Sequence, residues 1–96
     1  MAWARLVTYR GGTEAQYRAV VEELGAAHAN APGRLFLTAG PSDSGWQMFM
    51  VWDAKESFQR WATEHVGPAH QRAAERGWKV KPEVLDFETY HVLISG

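Results

Sequence analysis

Residues Trp46 to Trp52 read Trp-Gln-Met-Phe-Met-Val-Trp, an apolar run that hardly alternates. Gly45 precedes it and Asp53 follows it, which gives a strand's length rather than a helix's. A strand of this composition has two faces to bury instead of one. Whatever the chain folds into must cover both sides of this segment, and the surrounding sequence shows what is on hand to do it.

Before the run, Trp3 to Tyr9 is rich in aromatic and β-branched residues and predicts a first strand, broken by Gly11-Gly12. Thr13 then caps a helix, and Gln16 three residues on completes a capping box. Tyr17, Val20, Val21, Leu24 and His28 recur at helical spacing as one apolar stripe ending in an imidazole, and Pro32-Gly33 closes the helix. Leu35, Leu37 and Ala39 alternate with Arg34, Phe36 and Thr38 as a second strand. The cluster from Gly40 to Gly45 is the turn of a hairpin leading into the apolar run. After the run, Asp53 has the character of an N-cap, with Glu56 completing a second box. Phe58, Trp61, Ala62 and His65 form the next helical stripe. Gly67-Pro68 interrupts it, and Pro68 opens a short further segment that ends at Gly77. Pro82 introduces a last strand, Glu83 to Leu93, in which Leu85, Phe87, Thr89 and His91 share one face.

This β-α-β-β-α-β order predicts one α+β domain over residues 1–96, of ferredoxin-like form, with a four-stranded antiparallel sheet and both helices on one face. Two helices cover one face only. The other face of the apolar strand then has no cover within the chain, so a homodimer pairing sheet against sheet is expected.

Composition narrows the function. The chain has 96 residues and no cysteine, which excludes disulfides, thiolate metal sites and cysteine nucleophiles. Ten basic residues against eleven acidic ones give a net charge of −1, without the basic surface that nucleic-acid binding needs. No apolar run approaches a membrane span and no signal-peptide pattern opens the chain, so no membrane partner is expected, and the location expected by default is cytoplasmic. Twelve per cent of the residues are aromatic, enough to wall a pocket as well as fill a small core.

The four histidines, at 28, 65, 70 and 91, are the side chains suited to moving a proton near neutral pH. His65 falls on the same helical face as Phe58 and Trp61, and His70 follows the Gly-Pro break, free to turn over a pocket mouth. These two are the candidate catalytic groups. Trp61, Phe58, Tyr17 and His28 are the candidate substrate contacts. No metal site is expected, since His65 and His70 do not share a helical face and no carboxylate stands at ligand spacing beside them. A pocket of this make-up suits a flat, apolar, partly oxygenated ring system.

The element order, together with Val51-Trp52-Asp53-Ala54-Lys55-Glu56-Ser57-Phe58-Gln59-Arg60-Trp61, resembles the antibiotic biosynthesis monooxygenase family of the dimeric α+β barrel superfamily. The resemblance implies a homodimeric, cofactor-independent enzyme that oxygenates or cyclises an aromatic or polyketide-type small molecule. It also implies a comparison with the family's haem-degrading branch, whose Trp and haem-ligating His are similar in place to Trp61 and His70. The spacing here is one residue shorter, and the branch's essential Asn falls at about Ala4, which has no amide. Alternative readings are a non-catalytic haem or small-molecule binding protein of the same fold, or a dimeric scaffold.

Overall fold

A computed structural model describes residues 1–75 and 81–93. Strands β1 (Trp3–Arg10), β2 (Arg34–Ser42), β3 (Gly45–Trp52) and β4 (Glu83–Glu88) form one antiparallel sheet in the order β2-β3-β1-β4. The apolar run is β3, inside the sheet as its composition demands. Its pairing opposite β1 runs from Trp3↔Trp52 to Arg10↔Gly45.

The period of two sorts the side chains. Trp3, Val7 and Tyr9 of β1 share a face with Trp46, Met48, Met50 and Trp52 of β3, and the helices cover that face. Ala4 and Leu6 share the opposite face with Phe49 and Val51, joined there by Phe36, Leu85 and Phe87. Among the described residues, no helix lies on that second face.

The hairpin turn is tighter than the Gly40–Gly45 cluster suggests. Gly40, Pro41 and Ser42 remain in β2, opposite Gln47, Trp46 and Gly45, which leaves Asp43-Ser44 as the turn. Pro41 is tolerated because β2 is an edge strand. Gly45 has φ +136° and packs against the Tyr9 carbonyl and Gly11 nitrogen, where a Cβ has no room.

Helix α1 (Glu14–Leu24) opens with the expected capping box: the Gln16 N–H donates to Thr13 Oγ1 at 3.2 Å, and the Thr13 N–H donates to Gln16 Oε1 at 3.0 Å. The stripe to His28 is not one helix, however. Gly25, at φ 56°, ends α1, and His28 belongs to a separate short helix, α2 (Ala26–Ala29). Asp53 is not the cap of α3 (Lys55–Trp61); Ala54 holds that position without a side-chain bond. The Asp53 N–H is committed to the Gly33 carbonyl at 2.8 Å, which extends the sheet by a residue and moves the helix start along, while its carboxylate accepts from Ser57 Oγ at 2.6 Å.

The expected break at Gly67-Pro68 is also absent. The helical backbone continues from α3 through a π-turn, Ala62–Val66, into α4 (Gly67–Glu75). The Gly67 N–H reaches five residues back, to the Ala62 carbonyl. In an α-helix the Pro68 ring would meet the carbonyl four residues earlier; the wider turn removes that conflict without stopping the helix. Strand β4 stops at Glu88 rather than Leu93, where the Thr89 N–H turns to the Ala2 carbonyl at 2.9 Å. Thr89 and His91 are therefore not strand residues. The expected helix end at Gly77 lies outside the described residues.

Candidate functional site

Between the covered sheet face and the helices lies a cavity of about 320 Å³. Val7, Tyr9, Leu37, Trp46, Met48 and Met50 form its floor. Tyr17, Val20 and Leu24 enter from α1, Phe58 and Trp61 from α3, and Val66 and His70 from the π-turn and α4.

Ring contacts and a few hydrogen bonds fix this wall. Trp52 meets Trp61 at 5.4 Å and Phe58 at 5.6 Å between ring centroids, and Trp3 meets Phe58 at 5.1 Å. Trp61 Nε1 donates to the Ala27 carbonyl at 2.9 Å, tying α3 to α2. Arg34 donates to the His28 carbonyl at 2.6 Å, and its guanidinium lies 5.5 Å from the Trp61 ring centre. Tyr17 packs between Trp46, at 5.2 Å, and the His28 ring, at 6.2 Å.

Burial favours the neutral form of the histidines and tyrosines in the wall. It lowers the His70 pKa below the ordinary imidazole value. His28 is lowered by burial first and by the Arg34 charge second. The Tyr9 hydroxyl is pushed up to about 12, chiefly by burial, with Tyr17 adding to the rise and Arg5 opposing it. Tyr17 is raised by burial as well. At pH 7 both histidines present a neutral ring, able to accept a proton, beside two phenolic hydroxyls.

Five of the six residues singled out from the sequence meet at this cavity: Trp61, Phe58, Tyr17, His28 and His70. His65 does not. Its side chain is 45% exposed, with Nε2 3.9 Å from Glu64 Oε2. The π-turn is the reason. A 58–61–65 spacing marks one face only at 3.6 residues per turn, and the wider turn carries His65 outward and sets Val66 on the wall. His91 is also outside the cavity, in the segment after β4, where it borders a groove on the open sheet face with Phe36, Phe49, Val51 and Phe87.

Arg5, Tyr9 and Trp46 join the wall without having been singled out by the sequence. Alternation along β1 holds the signal for the first of them: Arg5 sits two residues from both Trp3 and Val7 and shares their face. Its guanidinium lies 4.4 Å from the Phe58 ring centre and 5.3 Å from that of Trp3, and it is paired with Asp86.

The residues present do not fit the haem-degrading chemistry. His70 is in the wall, but Ala4, at the place of the branch's Asn, is fully buried on the opposite sheet face, paired with Val51 and Phe87.

No family model matches the sequence, and no curated protein matches it. Solved structures do. SnoaB, a cofactor-independent oxygenase from Streptomyces nogalater, superimposes in a single-substitution form with a TM-score of 0.66 at 17% identity, covering 98% of this chain and 97% of its own. The ActVA-Orf6 monooxygenase of Streptomyces coelicolor, in complex with nanaomycin D, gives 0.60 at 16% identity, covering 99% and 92%. A dimeric ferredoxin-like protein of unknown function from Thermobifida fusca gives 0.64 at 15% identity, covering 93% and 92%. Further matches carry a provisional assignment as antibiotic biosynthesis monooxygenases. This chain has their ferredoxin-like fold. At these identities the likeness is one of fold, and chemistry has to be argued from the cavity.

Proposed function

We propose that this chain is a cofactor-independent monooxygenase of the antibiotic biosynthesis monooxygenase type, a single-domain homodimer acting on an aromatic or polyketide-type small molecule. The observation that carries the proposal is the cavity itself: aromatic and aliphatic walls, with His70, His28, Tyr17 and Tyr9 as its polar handles. Its volume and lining suit a flat, partly oxygenated ring system. The fold shared with SnoaB supports the reading without a cofactor, and the fold shared with ActVA-Orf6 supports a small-molecule substrate.

His70 is the proposed base. Burial holds it neutral, so its lone pair accepts the proton of a phenol bound against Trp61 and Phe58. The apolar walls replace water around the phenolate that forms, and its raised electron density is what reduces O₂. For a methylene flanked by phenolic rings the balance is R₂CH₂ + O₂ → R₂C=O + H₂O. All four electrons come from the substrate, and no further reductant is consumed. With its ring turned outward, His65 has no part in this step.

The dimer rests on the open sheet face. Phe36, Leu85 and Phe87 remain 44%, 60% and 47% exposed there, around a β3 whose Val51 is already buried. Sheet-to-sheet pairing covers them, with an interface on the scale of roughly 1,200–2,000 Å² typical of specific contacts. The Thermobifida protein with this fold is described as dimeric, which supports the pairing.

Oxygen uptake tests the activity. A ring-hydroxylated anthrone, a polycyclic phenol with such a methylene, is expected to consume O₂ faster with the protein than in buffer, and His70→Ala is expected to lower the enzymatic rate by about 10²-fold. Uptake no faster than buffer, or a His70→Ala rate equal to wild type, contradicts the assignment.

A further inference from the structure

Among the described residues that line the cavity, Arg5 alone carries a permanent charge, and no carboxylate lines it. A lone cation in a largely apolar wall needs a reason, because a charge drawn out of water is costly unless something answers it. Part of the answer is structural. Arg5 Nε donates to Asp86 Oδ1 at 2.8 Å and Nη2 donates to Asp86 Oδ2 at 2.9 Å, so the carboxylate occupies one side of the guanidinium. The Phe58 and Trp3 rings lie within cation–π range of it.

A guanidinium has a second fork. Five N–H groups lie in one plane, and the end formed by Nη1 and the remaining N–H of Nη2 matches a second oxyanion. Among the described residues Nη1 has no hydrogen-bond partner. The group is thus held rigidly from one side while its end fork remains open, which is the arrangement of a positioned ligand contact rather than of a surface ion pair.

Resting on the reading of the cavity as a ligand site, we propose that Arg5 is its specificity-determining residue and that it selects planar aromatic ligands bearing an oxyanion, bound end-on to its open fork. Asp86 positions the guanidinium and also weakens the field that the ligand meets. Removing the Asp86 charge therefore strengthens anion binding.

Calorimetric titration of the full chain with 2-naphthoate and its neutral analogue 2-naphthamide tests this at pH 8, where His28 and His70 are uncharged. Wild type is expected to bind the naphthoate at least ~10-fold tighter than the amide, the scale of one charge-assisted hydrogen bond. Arg5→Met is expected to bring the two affinities within about twofold while leaving amide binding in place. Asp86→Asn keeps Arg5 and is expected to widen the ratio beyond wild type, so it carries the test if Arg5→Met fails to fold. Equal binding of both probes to wild type overturns the role of Arg5 and leaves the cavity a ligand site. An Asp86→Asn ratio no wider than wild type also overturns the inference. Binding of neither probe at millimolar concentration overturns both.

Discussion

The two faces of the sheet are built from similar residues and end in different states. On the covered face, Trp3, Trp46, Met50 and Trp52 are all at or below 8% exposure, and the helices close over them around a cavity with neutral polar groups in its wall. On the open face Phe36 and Phe87 remain close to half exposed, beside a groove whose border includes Glu88 and the segment after β4. Aromatic content alone does not distinguish a site from an interface. What distinguishes them is whether the chain supplies its own cover, and whether polar groups are enclosed beneath it.

The comparison breaks most severely at Trp52. It is fully buried on the covered face, and Trp52→Ala should cost about 3–5 kcal/mol in urea denaturation, since removing the ring leaves a large void. An equally drastic change on the open face should leave the protomer intact. Leu85→Lys should shift unfolding of the protomer by no more than about 0.5 kcal/mol, yet convert the dimer to monomer in sedimentation equilibrium. A stable wild-type monomer at micromolar concentration would remove the open face from the account.

Smaller effects sharpen the picture of the covered side. Thr13→Ala removes one half of the capping box that starts α1 and should cost about 1 kcal/mol. His70 gives a pH signature. Its folded pKa lies below the unfolded value of 6.5, so the unfolded chain takes up its proton first as pH falls. Stability should therefore fall as pH drops through 6.5 toward the lower folded pKa, and His70→Gln should flatten that part of the profile. His28 shifts the same way, so the double variant should be flatter still.

Most of this division was legible in the residues. The unbroken apolar composition of β3, the glycines that end β1 and the Thr13–Gln16 spacing all act locally, and the element order follows from them. The misplaced features depend on competition between neighbours. Asp53 has the chemistry of a cap, but its N–H is taken by Gly33, which sequence spacing does not reveal. His65 has the right spacing for an α-helix, yet the demand of Pro68 is met by widening the turn before it. Alternation along β1 places Arg5 on the wall, but not its ion pair. Its partner Asp86 is far along the chain and is brought opposite only by the β1–β4 register.

The central claim, that the covered face holds the ligand while the open face holds a partner, can be read directly from the methionine methyls. Met48 and Met50 line the cavity, and the exposed Met1 lies outside it. In a carbon–proton correlation spectrum of methyl-labelled protein titrated with 2-naphthol, the Met48 and Met50 signals should move together and saturate while Met1 stays fixed. Met48 and Met50 signals that stay fixed throughout the titration, or a Met1 signal that moves with them, would contradict it.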